Sequence, residues 1–273
     1  MTNMLPVVLT IAGSDCSAGA GIQADLKTFQ HFRVHGLTAV TCVVSETANI
    51  VRAVHPIPVA IMRDQILLLL ESFPVATVKT GILFSAAHVA AVAEILRDHP
   101  RVQLVVDPVM IASTGASLLE PDAMAAYREQ LLPIARIITP NLPEAEALLG
   151  EAIPDASALE PAARRLAEIY GTAILLKGGH LDGPNCVDLL FDQGQAHTFR
   201  APRIPVKGSH GTGCTLSAAI TAALAFEASL PRAVEIAKAY LGETLRQSYG
   251  FQSHTGEIVH ALNQGTTFAQ NGA

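Results

Sequence analysis

The chain has 273 residues, half of them hydrophobic and 15% charged, with no tryptophan and a formal net charge of −6. That composition fills a sizeable aliphatic core and excludes disorder as the general state. The length suits one large α/β domain as well as two smaller ones. No Lys/Arg cluster is present, so the basic footprint of a nucleic-acid binder is missing. The apolar runs reach about ten residues, short of the roughly 20 a membrane-spanning helix needs. Four cysteines, Cys16, Cys42, Cys186 and Cys214, stand far apart with no Cys-x-x-Cys pair. Neither a zinc site nor a disulfide framework is expected, and a reduced, cytoplasmic chain is the default.

In chain order, apolar runs of strand length alternate with Ala-rich helical patterns. Residues 6–12 read as a buried strand, not a signal peptide, because no basic segment precedes them and no cleavage site follows. A helix is expected over 20–32, with Ile22, Leu26 and Phe29 on one face, then a β-branched run over 37–44. A helix over 58–73 and a short strand over 75–79 come next, then an amphipathic helix over 85–97 opened by Ser85 as N-cap. A strand over 102–107 stops at Pro108. Residues 121–132 are helical, 136–139 extended, 143–149 and 161–170 helical, and 172–176 a strand. Two runs, 187–191 and 196–201, flank Asp192-Gln193-Gly194, a hairpin signal. Helices over 212–226 and 231–247 follow. Residues 1–250 form one domain, and the polar stretch 251–273 is expected to be irregular. Alternating βαβ units with apolar strands predict an α/β fold, a mostly parallel sheet covered on both faces, with an antiparallel edge hairpin.

Four clusters carry chemistry. Gly211-Thr212-Gly213-Cys214 opens an apolar helix, where unpaired N–H groups and the helix dipole can receive an anion. A thiol at such a terminus is expected to have a lowered pKa and to serve as a base, although a small buried cysteine fits as well. Lys177-Gly178-Gly179-His180 ends a strand, where open α/β sheets bind ligands; a turn lysine is the plainer alternative. Asp107, with Asn141 and Glu144, can hold a hydrated Mg²⁺ and its phosphates, while Asn141 and Glu144 also have capping-box spacing. Gly13-Ser14-Asp15 and the stretch 19–25 follow the first strand. Gly19 to Ala24 fits G-x-G-x-x-A, which admits an NAD-dependent oxidoreductase, although six residues separate it from the strand. The competing view is a substrate loop with Asp25 accepting hydrogen bonds from a ring. P-loop, H-E-x-x-H, G-x-S-x-G and kinase H-R-D signatures are missing from the sequence.

Taken together, Ile11-Ala12-Gly13-Ser14-Asp15, Lys79-Thr80-Gly81, Asp107-Pro108-Val109-Met110, Thr139-Pro140-Asn141-Leu142-Pro143-Glu144, Lys177-Gly178-Gly179-His180 and the stretch 210–216 resemble the ribokinase superfamily. Within it they resemble the hydroxymethylpyrimidine/phosphomethylpyrimidine kinases of thiamine biosynthesis. The resemblance implies a ribokinase-like three-layer αβα sandwich without a separate lid domain, usually a homodimer, using ATP and Mg²⁺. It assigns Cys214 as base, and Gly211, Thr212 and Gly213 as anion hole. Lys177, Asn141 and His210 go to ATP, and Asp107 and Glu144 to the metal. Gly13, Asp25, Val43 and Val109 go to the ring pocket. Val43 departs from the family's usual glutamine and cannot hydrogen-bond through its side chain, a loss of about 1 kcal/mol to a ring that Glu46 is placed to offset. Gly208-Ser209 replaces the usual Asn-Thr on the nucleotide side. Pyridoxal or pyridoxine, which also carry a ring hydroxymethyl, are the alternative substrates.

Overall fold

A strand buried on both faces needs cover on each, and β1 (Val7–Asp15), buried everywhere but at Ser14, shows how it is met. Leu9 and Ile11 enter one hydrophobic layer and Val8 another. The computed structural model describes residues 5–110, 120, 122–179, 181, 183–206, 208 and 210–265. The first residues of the chain, Pro121, His180, Ser209 and the tail from 266 lie outside that set.

After β1 come α1 (Gly21–His31), β2 (His35–Thr47), β3 (Ile50–Pro56), α2 (Val59–Ser72), β4 (Val75–Thr80), α3 (Ala86–Arg97) and β5 (Gln103–Val106). Then follow α4 (Ala123–Ala126), β6 (Ile137–Ile138), α5 (Leu142–Leu149), α6 (Leu159–Tyr170) and β7 (Ala173–Lys177). The last elements are β8 (Asn185–Asp192), β9 (Gln195–Pro202), α7 (Thr212–Ala225), α8 (Leu230–Arg246), β10 (Tyr249–Gln252) and β11 (Ile258–Ala261). Among the described residues, nine strands make one sheet in the order β3-β2-β1-β4-β5-β6-β7-β8-β9. From β2 to β7 neighbours run parallel, and both outer edges are antiparallel. Helices α2, α3, α5 and α6 cover one face, and α1, α7 and α8 the other. This is the expected three-layer sandwich.

Several local expectations hold for the stated reasons. The Ser85 hydroxyl accepts from the His88 N–H and caps α3. Gln193 and Gly194 both have positive φ, 49° and 78°, the mirror-image turn that suits the twist of β8 and β9.

Three departures have physical causes. The helix expected over 121–132 shrinks to α4, a π-turn at Tyr127–Leu131 and a 3₁₀ turn at Leu132–Ile134. Pro133 has no N–H for a continuing helix and crowds the residue before it. The sheet gains β3, whose side chains are exposed or half-buried, so no hydrophobic alternation marked it. The stretch from 251, expected to be irregular, instead completes the β10–β11 hairpin, with Tyr249 opposite Ala261. Its order comes from docking: Leu262 and Gln264 are buried, and the Tyr240 hydroxyl donates to the Gln264 carbonyl at 2.7 Å. Among the described residues no helix is long and apolar enough to cross a membrane.

Candidate active site

The chain leaves β1 for β2 on one side and later returns to β4 on the other, so strand order reverses between β1 and β4. Open α/β sheets bind ligands at the carboxyl ends of strands at such a point. Asp15, Thr80, Asp107, Asn141 and Lys177 all stand at or just beyond the C-terminal ends of β1, β4, β5, β6 and β7.

The N-terminus of α7 closes over this edge. Gly211 caps it with φ 82°, and a Cβ there would collide with the Gly19 carbonyl oxygen, so only glycine fits. Its N-cap residue, Gly211, has no side chain to cap α7, and no acidic residue sits in the helix's first turn. A Cβ on Gly213 would lie 3.4 Å from both Asp107 Oδ2 and Lys177 Nζ, which places that turn directly on the charged pair. Lys177 Nζ donates to Asp107 Oδ1 at 3.0 Å. Burial by itself would drag the Lys177 ammonium down, but the Asp107 and Glu144 carboxylates outweigh it and its pKa rises. Asp107 also accepts from Thr139 Oγ1 and Ser217 Oγ at 3.4 and 3.3 Å.

Asn141 and Glu144 form the capping box that their spacing suggested. Glu144 N donates to Asn141 Oδ1 at 2.9 Å, and Asn141 N to Glu144 Oε2 at 2.8 Å. The Asn141 amide oxygen is therefore committed to α5. Burial, with the Asp107 charge adding and Lys177 opposing, pushes the Glu144 carboxyl up to about 7. No group of three His, Cys, Asp or Glu side chains able to cage a metal occurs among the described residues. Two carboxylates without a cage fit a Mg²⁺ that keeps water and takes phosphate oxygens, the usual habit of that ion.

Two expectations change. Cys214 was expected to have a lowered pKa, yet its thiol is pushed up to about 12. Burial is the main cause, with the Asp25 and Asp107 charges adding and Lys79 and the Gly21 N–H opposing. Asp25, expected to meet a ring, is fully buried. Its oxygens accept from Lys79 Nζ at 2.8 and 2.9 Å and from Thr10 Oγ1 at 2.6 Å. Burial pushes the Asp25 carboxyl up. Burial would also lower the Lys79 ammonium, but the facing Asp25 carboxylate overcomes this and holds it charged. Lys79 was given no role by the sequence reasoning, although a lysine inside an otherwise apolar strand is rare enough to signal a buried partner.

The Gly19 turn is filled by the chain itself. Asp15 Oδ2 accepts from the N–H groups of Gly19 and Ala20 at 3.0 and 2.8 Å, and Oδ1 from Ser17 N at 2.7 Å. His210 Nε2 lies 2.9 Å from Asp15 Oδ2, on this loop, where no nucleotide contact is needed to explain it. An NAD pyrophosphate would need the amides that Asp15 holds, so the oxidoreductase alternative falls. Burial tends to raise Asp15, but the His210, Ser17 and Ala20 hydrogen bonds win and take it down to about 2. Gly13 is buried against the Cys42 sulfur. Val43 pairs with Ser14, one step away, and is 44% exposed. Glu46 is buried beside these groups; burial and the Asp15 charge raise its carboxyl and His210 opposes. Val109 N donates to the Asp107 carbonyl in a tight turn at 2.8 Å. The site thus gathers Gly211 to Cys214, Asp107, Lys177, Asn141 and Glu144 at one place, with Gly13, Val43 and Val109 at neighbouring strand ends.

A mostly parallel sheet with a glycine-opened helix N-terminus set on a Lys–Asp pair defines a phosphotransferase of ribokinase-like fold. Residues 15–259 match the family model for phosphomethylpyrimidine kinase, and the chain belongs to that family. It is 43% identical over 262 residues to the hydroxymethylpyrimidine/phosphomethylpyrimidine kinase of Haemophilus influenzae, covering 94% of this chain and 93% of that one. It is 42% identical over 255 residues to the thiamine biosynthesis bifunctional protein of Geobacter sulfurreducens, covering 93% of this chain but only 52% of that longer protein. Among solved structures, the phosphomethylpyrimidine kinase of Clostridium difficile matches with TM-score 0.77 and 37% identity, covering 87% of this chain and 98% of that one. The pyridoxal kinase of Staphylococcus aureus in complex with pyridoxal matches with TM-score 0.86 and 32% identity, covering 96% and 94%. Membership in this kinase family implies ATP as the phosphoryl donor.

Two predictions follow from the charges. Lys79→Met alone should cost about 3–5 kcal/mol in urea unfolding, because Asp25 is left buried and unpaired. The double change Lys79→Met with Asp25→Leu should recover most of that loss, and a double mutant as unstable as the single would refute it. The depressed Asp15 pKa stabilises the fold above the unfolded value of about 3.9. That stability is lost as pH falls through the folded value, so Asp15→Asn should flatten the loss of stability between roughly pH 4 and 2.

Proposed function

We propose that this phosphotransferase moves the γ-phosphoryl group of ATP to the hydroxymethyl oxygen of 4-amino-5-hydroxymethyl-2-methylpyrimidine, and then phosphorylates the resulting monophosphate, in thiamine biosynthesis. The observation that carries the proposal is the glycine-opened α7 N-terminus lying against the Lys177–Asp107 pair, a preorganised place for the charge of a transferring phosphoryl group. The names of the curated relatives support the pyrimidine.

The hydroxymethyl oxygen attacks the γ-phosphorus, the new O–P bond forms, the bond to the β-phosphate oxygen breaks, and ADP leaves. Gly211, Thr212 and Gly213 receive the equatorial oxygens through the first-turn N–H groups of α7. Lys177 neutralises phosphate charge. Asp107, with the Glu144 oxygen not used for capping, would hold Mg²⁺, which supplies charge neutralisation to the phosphates. Asn141 and His210 border the nucleotide side, and Gly13, Val43 and Val109 border the ring. Asp25, buried and paired with Lys79, stands behind the ring pocket rather than in contact with the ring. Cys214 takes the hydroxyl proton through its thiolate form, the minor fraction that a thiol raised to about 12 supplies. A homodimer working in the cytoplasm, as the family resemblance implies, completes the proposal; Ile50 on the open edge of β3 is an apolar side chain exposed for such a contact.

A second substrate class has its own support. The chain matches pyridoxal kinases closely in structure, and Val43 lacks the polar group expected for the pyrimidine. Mass spectrometry on ATP reactions with the hydroxymethylpyrimidine, its monophosphate, pyridoxal and pyridoxine separates the two. A diphosphate from the pyrimidine is expected, and phosphate on pyridoxal or pyridoxine alone would move the assignment to vitamin B6. Val43→Gln should lower KM for the pyrimidine by roughly 5- to 10-fold, the worth of one hydrogen bond.

The thiol at about 12 gives the pH dependence its sign. Below that value the thiolate fraction grows with pH, so kcat should rise from pH 6 to 9. Cys214→Ala should cut kcat about 100-fold or more and abolish that rise. A Cys214→Ala enzyme with unchanged kcat would remove the cysteine as base.

A further inference from the structure

The segment after α8 does more than end the chain. Gln264 is 2% exposed, and its Nε2 donates to the Gly19 carbonyl at 3.3 Å and to Thr215 Oγ1 at 3.4 Å. Thr215 follows Cys214 and closes the first turn of α7, donating its N–H to the Gly211 carbonyl at 2.9 Å. The same Gly19 carbonyl packs against Gly211. One side-chain amide therefore spans both glycine loops of the site, the one ahead of α1 and the one that opens α7.

Gln264 is itself held. Its carbonyl accepts from the Tyr240 hydroxyl at 2.7 Å, and Asn263 N donates to the Thr244 carbonyl at 3.4 Å, so α8 anchors it. The hairpin before it reaches the rim of the site on two sides. Asn49 Nδ2, between β2 and β3, donates to the Ile258 carbonyl at 3.3 Å, and a Cβ on Gly208 would lie 3.1 Å from His260 Cβ.

We propose that Gln264 is a positioning residue for phosphoryl transfer. It sets the first turn of α7 against the Gly19 loop and touches no substrate. This rests on the assignment of that turn as the receiver of the transferring group. The two amide contacts are at the long end of hydrogen-bond geometry, so they contribute little to global stability and act on the placement of a turn. Misplacing a reacting group by about 1 Å can cost on the order of 100-fold in rate.

The test uses the full chain with Gln264→Leu, which keeps the bulk and removes both donors, and Gln264→Asn, which keeps the amide on a shorter arm. For Gln264→Leu, kcat should fall about 10- to 100-fold while KM for ATP and the pyrimidine stays within about 2-fold. Amide exchange should quicken over 212–216 and 19–21 but not in α8. Gln264→Asn should recover part of kcat. A Gln264→Leu enzyme with kcat within about twofold of wild type, or one whose exchange quickens across the whole chain together with a lowered Tm, overturns the proposal. Wild-type chain that phosphorylates nothing on the panel would sink the functional assignment alone, because the exchange pattern still decides whether Gln264 positions the turn.

Discussion

Two opposite charges sealed from water, Lys79 on β4 and Asp25 on α1, hold together the point where the sheet changes direction. Thr10 of β1 completes the set, so one cluster joins the strand that starts the fold, the helix that follows it and the strand on its far side. Neither charge can be lost singly without stranding the other, and stability alone would be served as well by two apolar side chains. What apolar side chains would not supply is a positive charge near Cys214. Burial raises that thiol, and Lys79 is the largest influence opposing the rise. The pair therefore links the architecture to the protonation state of the proposed base.

The helix N-termini along this edge divide the anion-binding work. Asp15 fills the amides ahead of α1, and Asn141 with Glu144 fills those of α5. In both places the chain spends the favourable dipole on its own carboxyl or amide groups, which rigidifies the loop and leaves no room for an outside anion. At α7 the N-cap is a glycine with no side chain to do so, and the neighbouring groups are an aspartate and a lysine at the ends of β5 and β7. This contrast also explains why a glycine pattern after β1 is not a dinucleotide site: the geometry is right for an anion, and the anion is Asp15.

The fold was largely legible because its central strands are mostly apolar on both faces and its helices carry clear boundaries, such as Ser85 and the Asn141–Glu144 box. The site was legible where residue type is tied to position, as with Lys177 and Asp107 at strand ends and the glycines that open α7. Three features were hidden. The pairing of Asp25 with Lys79 joins residues 54 apart in the chain, a separation no spacing rule covers. The raised thiol at Cys214 depends on how deeply the turn is buried, which a helix-terminus argument omits. The C-terminal hairpin is polar and its strands are exposed, and its order comes from the buried Leu262 and Gln264 that follow it.

These positions separate the site into two mechanically distinct halves. The phosphate half is built from α7 and the ends of β5, β6 and β7, where a Cβ on Gly213 would already meet Asp107 and Lys177. Close packing leaves little latitude there, and the residues keep the resemblance to the kinase family intact. The proposed ring half is built from the end of β1 and the stretch of β2 beside it, where Val43 is partly open to solvent beside Ser14. A side chain at that position can change without moving the packed turn, so under the proposed function a change there would alter which ring is held and how tightly while leaving the transfer geometry in place. Under the proposed function the departure at Val43 thus bears on substrate choice, and phosphoryl transfer rests on the closely packed half of the site.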